Sequence, residues 1–237
     1  MKSSISAEKL LEGSILPFDK PINWTSFDLV NKIRYYLCKY YAIKKLKVGH
    51  AGTLDPLATG LLILCTGKST KKILEIQNSS KVYIAEITLG ATTPSFDMET
   101  EIDNKFETKH INKTLILEKL SKFIGEVSQV PPLFSAKNID GTRAYKLARQ
   151  GIKIELAPSL IQIYNLEFLD YTNSILHLKI QCSKGTYIRS LARDIGFELG
   201  SGGYLSSLRR TAIGCYSIDS ALNVENFISN LNSLKQN

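Results

Sequence analysis

Apolar residues recur at helical spacing in three stretches of the chain. From Ser26 to Tyr41, the residues Leu29, Val30, Ile33, Leu37 and Tyr40 share one face, and Lys32, Arg34 and Lys39 lie elsewhere. That pattern predicts an amphipathic helix. Asn112–Gly125 predicts a second: Asn112 can cap it, the stripe is Leu115, Ile116, Leu120, Phe123 and Ile124, and Gly125 stops it. Tyr187–Leu199 predicts a third through Ile188, Leu191, Ala192, Ile195 and Leu199. Elsewhere the period shortens. Ile175–Cys182 alternates Leu176, Leu178, Ile180 and Cys182, so it predicts a strand with one buried face, and by the same alternation His177 points away from that face. Lys81–Leu89 reads as a strand ending at Gly90, Ile161–Leu169 as another, and Leu61–Cys65 as a short continuous apolar one. The polar tail from Ser217 carries a weak stripe of Leu222, Phe227, Ile228 and Leu231, which predicts a terminal helix. Strands and helices are mixed and the connections irregular, which points to an α+β fold over a doubly wound sheet.

Composition narrows the class. The 237 residues are 43% hydrophobic and 22% charged, the profile of a globular chain and not of a disordered one. Lys and Arg number 30 against 22 Asp and Glu, a net +8 that favours a polyanionic partner. Cys38, Cys65, Cys182 and Cys215 form no C-x-x-C pair, so a thiol zinc site and a disulfide framework both lack support, and free thiols suit a reducing cytoplasm. His50, His110 and His177 show no metal-ligand spacing. The polar start has no apolar segment of the signal-peptide kind, and the run Leu61–Cys65 is far short of the ~18 residues of a membrane helix. The expectation is a soluble, intracellular protein.

The densest candidate chemistry is Gly49-His50-Ala51-Gly52-Thr53-Leu54-Asp55-Pro56-Leu57-Ala58-Thr59-Gly60. Its glycines permit tight turns, and Pro56 pushes Asp55 toward extended geometry. A carboxylate on a braced loop beside an apolar strand suits a nucleophile or general base. A plain turn, with Asp55 bonding its own backbone, explains the same residues. Thr66-Gly67-Lys68-Ser69 evokes a phosphate-binding loop, but the first glycine of that pattern would fall on Leu62, so Lys68, Lys71 and Lys72 read as a solvated or RNA-facing basic edge. Cys182-Ser183-Lys184-Gly185-Thr186-Tyr187-Ile188-Arg189 feeds a strand into a helix start, where a guanidinium can pair with a carboxylate or phosphate or simply face solvent. Ser135–Lys153 carries Lys137, Arg143, Lys146, Arg149 and Lys153 around Tyr145 against one acid, Asp140. This interleaving fits RNA backbone contact with base stacking and equally a solubilising surface helix.

Taken together and in order, these segments resemble the TruB-type tRNA pseudouridine synthases. Asp19-Lys20-Pro21-Ile22-Asn23-Trp24-Thr25-Ser26 is similar to the family's D-K-P-x-G-x-T-S, with Asn23 at the usual glycine; asparagine tolerates positive φ better than most residues, so the turn can survive. Gly49–Gly60 resembles G-H-T-G-x-L-D-P-x-A-x-G, with Ala51 replacing a threonine. Lys81-Val82-Tyr83 resembles the K-x-Y strand, and Pro131–Arg149, Cys182–Arg189 and Leu208-Arg209-Arg210 match three further blocks. The segment after Gly90, Ala91-Thr92-Thr93-Pro94-Ser95-Phe96-Asp97, departs from the usual T-x-T-x-D but keeps the spacing of Asp97.

The resemblance implies a mixed, mainly antiparallel central sheet flanked by helices and RNA-binding loops. It implies Asp55 as the essential aspartate, Tyr83 stacking on the target base, and Arg189 paired with Asp55 and held in turn by Asp97. Leu208 lines the base pocket, His50 sits near the flipped-out nucleotides, and Lys20 and Pro21 support the Tyr83 strand. Arg143, Tyr145, Arg149 and Lys184 fall among the RNA-binding residues. The implied substrate is the T-arm stem-loop of tRNA, at uridine 55 of the T loop. Isomerising uridine breaks N1–C1′ and forms C5–C1′ with no redox change, so no cofactor or metal is needed. The carboxylate can attack C1′, add to C6 of the base, or take a proton from C2′ to give a glycal, the last being preferred. The expected organisation is a catalytic domain over residues 1–216, with an RNA-binding insertion near 126–153, and a short helical tail over 217–237 in place of the PUA-like domain many bacterial relatives carry. A cytoplasmic monomer without an obligate protein partner is expected. A non-catalytic RNA-binding or RNA-folding protein is the alternative, and retention of Asp55, Tyr83 and Arg189 together argues against it.

Overall fold

The computed structural model describes residues 6–135, 137–139, 141–150, 152, 154 and 156–233; for residues 138, 139, 143 and 149 it describes the backbone alone. The chain runs α1 (Ala7–Glu12), β1 (Ile15–Lys20), α2 (Ser26–Tyr40), β2 (Val48–His50), β3 (Thr59–Thr66), a 3-10 turn (Gly67–Lys72), α3 (Ile73–Asn78) and β4 (Lys81–Leu89). It continues with β5 (Ala91–Thr92), β6 (Asn104–Lys105), α4 (Lys113–Ser121), β7 (Gly125–Gln129), β8 (Asn138–Ile139), β9 (Thr142–Arg143) and α5 (Ala144–Arg149). Then come β10 (Ser159–Thr172), β11 (Ile175–Cys182), α6 (Ile188–Glu198), β12 (Gly203–Ile213), β13 (Tyr216–Ser217), a second 3-10 turn (Ile218–Ser220), β14 (Leu222–Asn223) and α7 (Val224–Ser233). These elements form two compact units, residues 1–82 with 209–237, and residues 83–208. The chain passes from one to the other inside β4 and inside β12.

The first unit is built on β3. Its run Leu61–Cys65 is fully buried, as a continuous apolar strand covered on both faces must be. β1 pairs with it antiparallel from Ile15↔Cys65 to Lys20↔Gly60, and β2 pairs antiparallel from Val48↔Thr66 to His50↔Leu64. β12 joins in parallel at Arg209↔Thr59 and Arg210↔Gly60. α2 starts at a Thr25 capping box with Asp28 and buries Leu29, Val30, Ile33 and Leu37, the predicted face. The tail belongs to this core. Leu222 lies in β14, parallel to β1, and the helix is the later Val224–Ser233, whose Phe227 meets Phe18 edge-on at 5.1 Å.

In the second unit the strand order is β12-β4-β11-β10-β7. β4 alternates buried and half-buried residues along its whole length, and β11 buries Leu176, Leu178, Ile180 and Cys182. β10 is longer than its apolar stretch, because Asp170, Tyr171 and Thr172 still pair with β11 across the hairpin. α4 is shorter than predicted. Lys122, Phe123 and Ile124 donate their amides three residues back, to Lys119, Leu120 and Ser121, so the last turn tightens to 3-10 geometry, and Gly125 opens β7 instead of capping a helix. α6 presses its Gly196 against the 202–203 backbone, where an added Cβ would lie 2.3 Å from the Gly203 nitrogen.

Candidate active site

In the first unit, the segment 19–26 is a scaffold for the Asp55 loop. The Asn23 amide donates to Pro56 O at 2.8 Å. Asn23 has φ 65, the left-handed conformation a glycine would occupy. The Ser26 hydroxyl donates to Leu54 O and accepts from Leu54 N at 2.9 Å, so one side chain closes both polar groups of the residue before Asp55. Lys20 is fully buried, and its ammonium donates to the carbonyls of Pro21, Trp24 and Pro56. Burial pulls its pKa down to about 8; the Asp55 charge opposes that and the Arg210 charge reinforces it. Asp19 receives both ends of the Arg209 fork, at 2.6 and 3.1 Å.

Arg210 supports the same loop from the other side. It is 1% exposed, and its guanidinium donates to the carbonyls of Leu61 at 2.8 Å, Thr53 at 3.2 Å and Gly52 at 3.1 Å. Gly60 makes room for the Arg210 backbone, which an added Cβ would meet at 2.3 Å. Nothing in the sequence pattern singled out Arg210 as the grip on this loop. His50 is held below its ordinary pKa by burial and then by the Arg210 charge, with the Gly52 backbone opposing. No group meets His50 Nδ1 at hydrogen-bond geometry among the described residues. Asp55 itself is half-buried on the loop so held.

The second unit presents a guanidinium. Arg189 stands in the first turn of α6, 5% exposed, with Asp97 Oδ2 at 3.5 Å. Its Nη1 also donates to Phe134 O at 3.0 Å and Ser95 O at 3.5 Å. Local hydrogen bonds close the Asp97 turn. The Thr93 and Ser95 hydroxyls both donate to Asp97 O, Asp97 Oδ1 accepts from Glu99 N, and Leu205 N donates to Phe96 O. The helix start is pinned by Gln129, whose amide accepts from Tyr187 N at 2.9 Å and donates to Tyr187 O at 3.1 Å. Ser190 adds a bond to Val130 O. Gln129 is a second residue that no local pattern could reveal, since its partner lies 58 positions away.

Tyr83 on β4 and Leu208 on β12 are both 8% exposed in this unit. Tyr145 is half-buried on α5 and Lys184 is exposed. Arg143 and Arg149 are described as backbone of β9 and α5 alone, and Asp140 and Lys153 of the basic stretch lie outside the described residues. The structure therefore brings Lys20, His50, Asp55 and Arg210 together in one unit, and Arg189 with Asp97 in the other.

Comparison with known proteins gives this arrangement a context. Residues 39–188 match the family model described as TruB family pseudouridylate synthase (N terminal domain), and residues 189–236 match tRNA pseudouridylate synthase B C-terminal domain. The chain is 54% identical over 216 residues to the tRNA pseudouridine synthase B of Phocaeicola vulgatus, covering 91% of this chain and 92% of that one. It is 49% identical over 228 residues to the protein of that name in Flavobacterium johnsoniae, covering 96% and 100%. Among solved structures it resembles a chain of a Cbf5-Nop10-Gar1 complex, with TM-score 0.73 at 24% identity over 96% of this chain and 57% of that one. A chain of an H/ACA RNP bound to a substrate RNA containing 2′-deoxyuridine gives 0.70 at 23% identity, over 97% and 56%. This chain spans little more than half of either, and the likeness is one of fold.

Proposed function

The chain belongs to the TruB family of pseudouridylate synthases, and from that membership we propose that it converts uridine 55 in the T loop of tRNA to pseudouridine. One observation carries the reading: the full-length likeness to relatives named tRNA pseudouridine synthase B falls on a chain whose Asp55 loop is gripped by Ser26, Lys20 and Arg210.

The reaction needs a carboxylate held in one geometry, because positioning supplies much of what such a site must provide. Asp55 fills that role, and its loop has its carbonyls tied down at Gly52, Thr53, Leu54 and Pro56. In the preferred route Asp55 takes the C2′ proton as N1–C1′ breaks, giving a glycal and a uracil anion. The base turns, C5 of the anion bonds to C1′ as Asp55 returns the proton to C2′, and the C5 proton then passes to solvent while N1 takes up a proton, restoring the conjugated ring. Tyr83 stacks on the base, Leu208 lines its pocket, and Arg189 supplies a cation to the reaction. Flipping the nucleotide out costs a few kcal/mol, which stacking partly recovers. Arg143, Tyr145, Arg149 and Lys184 hold RNA backbone and bases. On this reading catalysis belongs to residues 1–216, and the protein works as a cytoplasmic monomer without an obligate protein partner.

The test is tritium release from a T-arm stem-loop labelled at uridine C5, comparing the parent with Asp55→Asn. Release by the parent and none by the variant, with RNA binding kept, supports the reading. No release from either, on RNA shown to bind, overturns it in favour of an RNA-folding role or another RNA target.

A further inference from the structure

We propose that a basic cleft in the first unit holds sugar-phosphate backbone of the substrate tRNA beyond its T arm. Five of its lining residues are cations, Arg34 and Lys39 from α2, and Lys44, Lys45 and Lys47 from the connection into β2; Tyr35 lies among them. All six are exposed, and the cleft encloses about 1010 Å³, at the upper end of small-molecule pockets.

Two features separate this cleft from an ordinary solvated surface. From Asn31 to Val48 the chain has Lys32, Arg34, Lys39, Lys44, Lys45 and Lys47 and no Asp or Glu. A helix face built only for solubility places Glu four residues from Lys. Here the four-residue partners are tyrosines: Lys39 Nζ lies 5.7 Å from the Tyr35 ring centre, and Lys32 Nζ lies 5.5 Å from that of Tyr36. Lys39 thus rests on an aromatic face and no acid is among the described residues that line the cleft, the combination that grips nucleic-acid backbone while offering a ring for a base.

Position selects which part of the RNA. β3 runs from Thr59, beside the Asp55 loop, to Thr66, and Gly67 lines the cleft. Eight steps at roughly 3.3 Å per residue put the two ends about 26 Å apart. An RNA whose target base is at Asp55 reaches the cleft with nucleotides beyond the stem-loop that carries that base. The proposal rests on the reading above that tRNA is the substrate.

The experiment compares the parent with the combined variant Lys39→Gln, Lys44→Gln, Lys45→Gln on full-length tRNA and on the isolated T-arm stem-loop. Affinity is measured across a salt series, tritium release is followed on both RNAs, and a urea midpoint checks the fold. On full-length tRNA the variant should bind at least about tenfold more weakly near 0.1 M salt, and its log K against log salt slope should be shallower by about 2, as expected for three lost phosphate contacts. Stem-loop affinity should change less than about twofold, so the loss is confined to the longer RNA. Equal losses on both RNAs, or no loss on either, overturn the proposal. A parent that releases no tritium yet shows the cleft-dependent slope overturns the assigned reaction and leaves the cleft standing.

Discussion

Arg210 in the first unit and Arg189 in the second are 1% and 5% exposed, yet their guanidinium groups are satisfied in different currencies. Arg210 donates to three backbone carbonyls, those of Leu61, Thr53 and Gly52. Arg189 donates to the carbonyls of Phe134 and Ser95 and faces the carboxylate of Asp97. Carbonyl acceptors fix shape without neutralising charge. Arg210 therefore shapes the loop that carries Asp55, and its field still reaches the half-buried His50 and the buried Lys20, adding to the effect of burial on both. Asp97 instead compensates the charge of Arg189 and fixes where it points. One arginine builds a backbone and the other is itself positioned.

The largest effect should come from removing the shaping residue. Arg210→Ala leaves three carbonyls without their donor. At about 1–3 kcal/mol for each unsatisfied group, less what water recovers, the loss in urea unfolding should be about 3–5 kcal/mol. Arg210→Lys should restore less than half, because one ammonium cannot span three carbonyls set for a planar fork. A loss below about 1 kcal/mol would mean that the loop holds its shape without the arginine. Next comes Asp97→Asn, which keeps an oxygen acceptor but strips the compensating charge from a buried arginine. Breaking a buried pair costs about 3–5 kcal/mol, and the retained acceptor should limit the cost to about 2–3 kcal/mol. If Asp97→Asn proves harmless, the contrast between the two arginines collapses.

Lys20 offers a pH-dependent reading of the uncompensated field. Its folded pKa of about 8 lies below the ordinary 10.5. Below about pH 8 the ammonium is protonated in both folded and unfolded chains, and its burial penalty is constant. Between about 8 and 10.5 the unfolded chain binds more protons, so stability rises with pH. At about 1.4 kcal/mol per pKa unit the gain should be at most about 3 kcal/mol. Urea midpoints taken across this window should climb in the parent relative to Lys20→Met, and Arg210→Ala should shrink the climb. Parallel curves for parent and Lys20→Met would show that Lys20 titrates normally.

What could be read from the sequence divides along the same line. α2, β4, β11 and α6 were legible because burial imposes a period, and Leu29, Ile33 and Leu37 or Leu176, Leu178 and Ile180 repeat with it. Side chains that bond distant backbone have no period. Arg210 reaches Gly52 across 158 positions and Gln129 reaches Tyr187 across 58, and neither contact leaves a mark on the local pattern. The unit boundaries at 82/83 and 208/209 fall inside strands, where composition does not shift. Asp55 and Arg189 were candidates with equally good plain readings until ordered motifs were taken together, because an Asp-Pro in a glycine-rich loop is also an ordinary turn, and Tyr83 entered only with those motifs.

Asn23 sits on the shaping side of the contrast and should show the smallest effect. It holds φ 65 while its amide donates to Pro56 O, so backbone conformation and amide are what the Asp55 loop uses. Asn23→Gly keeps both. The glycine adopts positive φ freely but adds entropy to the unfolded chain, and these opposing changes should leave stability within about 0.5 kcal/mol. Asn23→Ala keeps the amide and the Cβ but loses the short polar side chain that eases the left-handed region, which should cost up to about 1–2 kcal/mol. Thermal unfolding of the pair separates conformation from side-chain chemistry. If glycine proves as damaging as alanine, the asparagine side chain matters in itself, and the bracing of this loop extends beyond carbonyls and backbone amides.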